Sequence, residues 1–396
     1  MDTCSARQTG SPFARRRVPA VGSVLLIAAF VAAVACLVSG REAEAAGDAG
    51  NSKAPIDEQV LDRVTQRAED LPRLHALIVA HEGTVLLERA FRGPGLDVPV
   101  NVKSAAKSVV SALAGIAMDR GLIEGADQPM LPLLGRPAPA NADPRLDRVT
   151  VGNLLSMQAG LERTSGGNYG RWVQSRDWVG FALSRPFVDE PGGRMLYSTG
   201  NTHLLSAMLT EVSGRSTLEI AREWLTGPLG VDLPPWDRDP QGIYFGGNNM
   251  LLSPRALLRF GEMYRNGGVF EGERVVSEDW IRKSWTPRTT SRYSGDGYGY
   301  GWFIADICGR PVYYARGFGG QFLYVAPSLG LTIVITSEET TRTRVDGYYE
   351  ALRALVADEI VPAALRAQRA TPGGAGTRET GTGEARTGGP QQACLA

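Results

Sequence analysis

Apolar positions along the chain group into two kinds of run. At 74–80 (LHALIVA) and 84–91 (TVLLERAF), short apolar stretches flank His81-Glu82-Gly83, which predicts a β-hairpin. Over 103–121 the period lengthens. Val110, Leu113, Ala114 and Ala117 share one helical stripe and Gly121 supplies a stop, so a helix is predicted there. Residues 149–157 and 203–212 are further helix candidates. Late in the chain, 300–307, 311–315, 322–326 and 331–336 are strand-like runs separated by Gly, Pro and Ser, and a closing helix is predicted over 345–360. Strands at both ends with helices between them predict an α/β (α+β) fold. One antiparallel sheet would be assembled from the two termini, with a helical insertion between its parts.

The ends differ from this body. Arg15, Arg16 and Arg17 precede an uncharged run of 23 residues, 18–40, closed by Arg41, and a helix needs about 20 apolar residues to span a bilayer. Ala43-Glu44-Ala45 then offers a small-residue cleavage site. Residues 1–45 are therefore read as a signal peptide or N-terminal membrane anchor. A lipoprotein signal on Cys36 is the third option, but Ala33 stands where leucine is usual. Residues 46–56 read as a linker and 57–368 as the folded body. The tail, 369–396, is Gly/Thr-rich: seven glycines and five threonines over 371–396 bury too little surface to offset the entropy of ordering. The body is expected to be exported, to the periplasm, cell envelope or exterior, with 18–40 as its anchor if uncleaved.

Composition narrows the chemistry. With 42 basic and 42 acidic residues the net charge is zero, so no global field draws the chain to nucleic acid. The three histidines, His75, His81 and His203, show no HxH or HxxxH spacing, and no CxxC occurs, so no metal site is expected. A phosphate-binding GxxxxGK[ST] loop is absent as well. Cys308 alone among four cysteines falls in the folded body, which leaves no disulfide framework within it. Of the 42 basic residues only Lys53, Lys103, Lys107 and Lys283 are lysine. A buried lysine can give up its proton and arginine cannot, so each lysine is a candidate base.

Ser104-Ala-Ala-Lys107 puts a hydroxyl and an amine three residues apart at the start of a predicted helix, on one face. The helix N-terminus also favours negative charge developing near the serine. Taken alone, the spacing reads first as an N-capping serine with a solvent-facing lysine. Its surroundings change that reading. The stretch 101–123 (NVKSAAKSVVSALAGIAMDRGLI) resembles the nucleophile helix of the serine β-lactamase and penicillin-binding protein superfamily. Three later segments resemble its other motifs in the expected order: 149–161 (VTVGNLLSMQAGL), 191–205 (PGGRMLYSTGNTHLL) and 317–327 (GFGGQFLYVAP). The nearest flavour is the class C β-lactamase and esterase branch, including hydrolases of aminohexanoate oligomers.

The resemblance implies a β-lactamase-like fold, with an all-helical part over roughly 120–250 packed beside the sheet and Ser104 in the cleft between them. It implies Ser104 as acylated nucleophile, Lys107 as its base, and Tyr197 as second acid/base with a phenol held near ionisation by Lys107. It further implies an oxyanion hole from the backbone N–H groups of Ser104 and Phe318, and no metal or organic cofactor. Two positions depart from the family pattern. Thr199 stands where asparagine is usual, with Asn201 two places on, and either is a candidate for that role. The last-strand triad aligns with Ala315-Arg316-Gly317 and lacks its lysine or histidine. Arg316 is either a bidentate partner for a substrate carboxylate or a plain surface cation. These departures favour an esterase or amidase over an efficient β-lactamase. The expected partner is a small-molecule or peptide substrate, with no nucleic acid, and with membrane contact only through the N-terminal segment. The alternative is a catalytically silent, penicillin-binding-like binding or sensor protein of the envelope. His203 is expected to be a partly buried structural histidine, and Tyr298-Gly-Tyr300-Gly-Trp302 packing with one aromatic at the cleft. Trp172 and Trp178 are either a substrate wall or core.

Overall fold

The apolar run around Ile78 becomes the second strand of an eight-stranded sheet. The computed structural model describes residues 56–341 and 346–370, together with Cys394. The readings of 1–45 as signal or anchor, of 46–56 as linker apart from Ile56, and of nearly all the tail therefore lie outside the described residues. The strands are β1 (Leu74–His81), β2 (Thr84–Ala90), β3 (Thr289–Thr290), β4 (Gly297–Tyr298), β5 (Phe303–Ile307), β6 (Arg310–Gly317), β7 (Gln321–Ala326) and β8 (Leu331–Ser337). Their order is β2-β1-β8-β7-β6-β5-β4-β3, every pair antiparallel. The first hairpin thus joins the C-terminal meander along β1 and β8, where Ile78 faces Val334.

Side chains alternate between two buried layers, as the two-residue period of a strand requires. Leu77, Val79, Tyr324, Ile333 and Ile335 meet helix α1 (Glu58–Glu69), through Val60 and Val64, and the C-terminal helices. Ile78, Ala80, Leu323, Val325 and Val334 face the larger core, which holds α2 (Ala106–Asp119), α3 (Thr199–Ser213) and α4 (Pro254–Arg265). Both layers are apolar, so β1 and β8 read as near-continuous hydrophobic runs.

Several elements differ from their predicted extents. The helix expected from residue 103 begins as a 3-10 turn, Lys103–Ala105, because Lys103 adopts a positive φ of 50°. The 149–157 helix contracts to Val151–Leu155, capped by Thr150 and Asn153, and is closed off by Met157 at φ 63°. The strand at 300–307 starts only at Phe303, with Tyr300 and Trp302 already in the core. The closing helix runs ten residues further than predicted, to Ala370. The part over 120–250 is helical only in short pieces around α3, since its many glycines and prolines interrupt every other run.

The one cysteine of the folded body finds its partner outside that body. Cys308, in the β5–β6 turn, is bonded to Cys394 with Cα atoms 5.3 Å apart, the partner coming from the tail. The bond closes a ring across 86 residues, which restricts the unfolded chain by about 4–5 kcal/mol on the chain-entropy model. Among the described residues no helix is long and apolar enough to cross a membrane.

Candidate active site

Ser104 is the middle residue of the 3-10 turn that leads into α2. Two hydrogen bonds set the turn: Lys103 N–H donates to Asn101 Oδ1 (2.9 Å) and Val102 N–H to Met250 O (3.0 Å). The end of β6 lies against it. A Cβ built on Gly317 would sit 2.2 Å from the Val102 carbonyl oxygen, so only glycine permits this approach. Arg316, Gly317 and Phe318 are thereby brought beside the Ser104 turn, and Phe318 is 46% exposed at the tip that follows β6.

One turn into the helix, Lys107 is 1% exposed. Its Nζ lies 2.9 Å from Ser104 Oγ, 2.7 Å from Gly247 O and 3.2 Å from Thr199 Oγ1. It also stands 5.1 Å from the centre of the Tyr197 ring. Burial lowers its pKa from 10.5 to about 7, because the cation loses its hydration. Gly247 can be nothing larger: its φ is 77°, and a Cβ would meet Thr202 Oγ1 at 2.3 Å and Lys107 Cγ at 2.7 Å.

Tyr197 packs edge-on against Tyr298 and stacks on Phe303, at centroid distances of 6.4 and 6.2 Å. Burial raises its pKa, while a hydrogen bond with Ser104 and the charge of Arg316 pull it down. The phenol thus titrates above its ordinary range rather than near neutrality, and Lys107 meets its ring face instead of its oxygen. Thr199 opens α3. Its hydroxyl bridges Lys107 Nζ and Ser165 Oγ (3.1 Å), and its N–H donates to Ser165 Oγ (2.9 Å). Asn201 is buried on the same helix and, among the described residues, makes no hydrogen bond to Lys107 or Ser104. Thr199 therefore takes the contact to the lysine. Arg316 lies over the Tyr349 ring at 4.3 Å, is partly exposed, and forms no ion pair among the described residues.

The geometry gathers Ser104, Lys107, Tyr197 and Thr199 around one buried amine, with Arg316, Gly317 and Phe318 on the adjoining strand end. Sequence reasoning missed Gly247 and Ser165, because a backbone carbonyl and a bridging serine carry no residue-type signal. The tandem Gly246-Gly247 was the only hint. Trp172 and Trp178 are core, not substrate wall: both are buried and pack on Phe245 and His203. His203 is fully rather than partly buried. Tyr298, against Tyr197, is the aromatic of its run that borders the site.

The family model described as Beta-lactamase matches residues 75–358. The chain is 26% identical over 244 residues to a 6-aminohexanoate-dimer hydrolase of Paenarthrobacter ureafaciens, covering 56% of this chain and 61% of that one. It thus spans about three-fifths of that curated relative's length. A solved structure of a putative 6-aminohexanoate-dimer hydrolase from Bacillus anthracis matches with a TM-score of 0.64 at 18% identity, covering 77% of this chain and 82% of that chain. The hydrolase EstCE1, described as having promiscuous acyltransferase activity, matches with a TM-score of 0.61 at 18% identity, covering 76% and 98%.

Proposed function

The chain belongs to the beta-lactamase family of hydrolases, and from that premise we propose that it is a serine hydrolase cleaving an ester or linear amide through an acyl-enzyme on Ser104. The observation that carries this reading is the 2.9 Å contact between Lys107 Nζ and Ser104 Oγ, made by an amine whose pKa lies at about 7. A neutral amine has two N–H groups and one lone pair. The N–H groups suit Gly247 O and Thr199 Oγ1, and the lone pair then faces the Ser104 hydroxyl.

In the proposed reaction Ser104 Oγ bonds to the acyl carbon while its proton passes to Lys107. The carbonyl oxygen takes up the negative charge and receives the N–H groups of Ser104 and Phe318, which contribute several kcal/mol to lowering the barrier. Tyr197, kept protonated at neutral pH by burial, donates its proton to the leaving oxygen or nitrogen, and the tyrosinate takes one back from the water of the second half-reaction while the Lys107 ammonium returns its own to Ser104 Oγ. Water then adds to the acyl carbon with the same groups acting in reverse, releasing the acid and restoring Ser104. Arg316 at the strand end suits a substrate that carries a carboxylate. Esters and linear amides are preferred over β-lactams because the last strand offers Arg316 in place of the family's lysine or histidine. The name of the 6-aminohexanoate-dimer hydrolase favours a linear amide in the same way.

The reading is tested by intact-mass analysis after exposure to an activated ester and, separately, a penicillin. A stoichiometric acyl increment on the wild type that is absent from Ser104→Ala is expected. Failure of both reagents to leave an increment or to be hydrolysed would return the chain to the silent binding protein. The base makes a second prediction. Below pH about 7 Lys107 binds a proton and cannot accept another, so kcat/KM on the activated ester should fall about tenfold per pH unit on that side. A profile flat from about pH 5 to 8 would remove Lys107 from the role of base.

A further inference from the structure

Helix α3 carries polar side chains on one flank, and they hold the segment 244–247 along its length. Ser206 Oγ donates to Tyr244 O (2.7 Å) and Thr202 Oγ1 to Gly246 O (3.1 Å). Trp236 Nε1–H donates to Phe245 O (3.0 Å) from outside the helix. The remaining tie runs the opposite way: the Gly246 N–H donates to His203 Nδ1 at 3.3 Å. The next residue along, Gly247, supplies the carbonyl that receives Lys107 Nζ at 2.7 Å.

That histidine has one tautomer available to it. The side chains of His203 and Asp239 are both 0% exposed, with His203 Nε2 3.0 Å from Asp239 Oδ2. Asp239 Oδ1 is occupied by the backbone N–H groups of Gln241 and Ile243, each at 2.9 Å. Oδ2 therefore accepts the Nε2 proton, and the Nδ1 lone pair is left for Gly246. Trp172, Trp178 and Phe245 enclose the ring edge-on and shut out water. Gly246 is pressed too close to α3 for a side chain, since a Cβ would meet Thr202 O at 2.1 Å.

We propose that His203 is a positioning residue for Lys107: oriented by Asp239, its Nδ1 lone pair fixes the Gly246–Gly247 peptide so that the Gly247 carbonyl receives the lysine amine. The catalytic meaning of this device rests on Lys107 serving as the base proposed above. Lys107 Nζ is faced by Ser104 from its own turn, Tyr197 and Thr199 from the start of α3, and Gly247 from this segment. Arg316, whose charge reaches Tyr197, is the cation on the sheet side. When the segment loses its tie, water reaches the amine and relieves the burial that holds its pKa down.

The test reads Lys107 directly. The chain has four lysines, so a 13Cε-lysine NMR titration shows few signals, and Lys53→Arg, Lys103→Arg and Lys283→Arg assign Lys107 by elimination. His203→Gln keeps the donor to Asp239 but loses the acceptor for Gly246. Asp239→Asn turns its NH2 toward the imidazole and forces the proton onto Nδ1, against the Gly246 N–H. Both are expected to move the Lys107 midpoint up by about one pH unit or more and to lower kcat/KM at pH 7 about tenfold. His203→Asn keeps an acceptor at the Nδ1 position and should leave the midpoint at the wild-type value. A wild-type midpoint in both His203→Gln and Asp239→Asn overturns the proposal, as does an equal displacement in His203→Asn. A His203→Gln protein that fails to fold leaves Asp239→Asn to decide on the same criterion. Because the titration needs no turnover, a wild type that forms no acyl adduct would sink the hydrolase reading and leave this one to be judged separately.

Discussion

Lys107→Met is expected to abolish turnover and, in the same protein, to raise stability at pH 7. Loss of a general base costs about 10²–10⁴ in rate, and in the proposed mechanism the base is also the partner of Ser104 Oγ at 2.9 Å. The stability gain follows from burial. Unfolded, the lysine titrates near 10.5; folded, at about 7. Below pH 7 both states are protonated and the full cost of burying the cation falls on the folded state. Between pH 7 and 10.5 the unfolded chain holds a proton that the native one lacks, so native stability rises with pH across that window. The whole interval corresponds to roughly 5 kcal/mol at about 1.4 kcal/mol per pH unit. Methionine fills the space without a charge but strands the Gly247 carbonyl and the Thr199 hydroxyl, at about 1–3 kcal/mol. A net gain of about 1–3 kcal/mol at pH 7, turning into a loss of up to about 2 kcal/mol by pH 10, is therefore expected from urea unfolding of the two proteins. A methionine variant less stable than the wild type by the same amount at both pH values would show that the buried amine carries no such cost.

Gly317→Ala should be nearly as damaging to activity, through space rather than chemistry. The added Cβ has the Val102 carbonyl oxygen at 2.2 Å and the Gln321 Cβ at 2.9 Å, both on rigid backbone or close to it. Either the end of β6 or the Ser104 turn has to move, and the Ser104 and Phe318 N–H groups proposed as oxyanion donors are separated. A displacement of about 1 Å costs on the order of 100-fold in kcat/KM, and overpacking about 1–3 kcal/mol in stability. Gly125→Ala is the control, since nothing lies within 4 Å of its Cβ position and its φ is not positive. Equal kcat/KM in the two variants would mean that the approach of β6 to the Ser104 turn is not what shapes the site.

Elements that form short apolar runs between turn residues, or repeat at helical spacing between glycines, could be read from the sequence: the first hairpin, α2 and the late meander. The Ser104, Lys107 and Tyr197 cluster could be read for another reason, the resemblance of its segments to a superfamily's motifs, since the spacing alone favours an N-capping serine with a solvent-facing lysine. What escaped depends on backbone and on distance. The Gly247 carbonyl is an acceptor that any residue would supply, and His203 meets Asp239 only because α3 passes beneath a segment 36 residues further on. Trp172 and Trp178 announce burial by their size, but size says nothing about which cavity they fill. Cys394 lies in a stretch whose composition hides a covalent partner.

The register of β1 on β8 also orders events in time. His81 pairs with Leu331, so the strand made first waits for some 250 further residues before its neighbour exists. Until then the growing polypeptide presents an apolar edge whose only early companion is β2, a hairpin that is marginal alone. A chain that stops before Leu331 never covers that edge, and unpaired edges of this kind recruit other strands. Premature termination near the C-terminus would therefore yield an aggregating product rather than a weakened enzyme, and a translating ribosome releases this fold almost all at once.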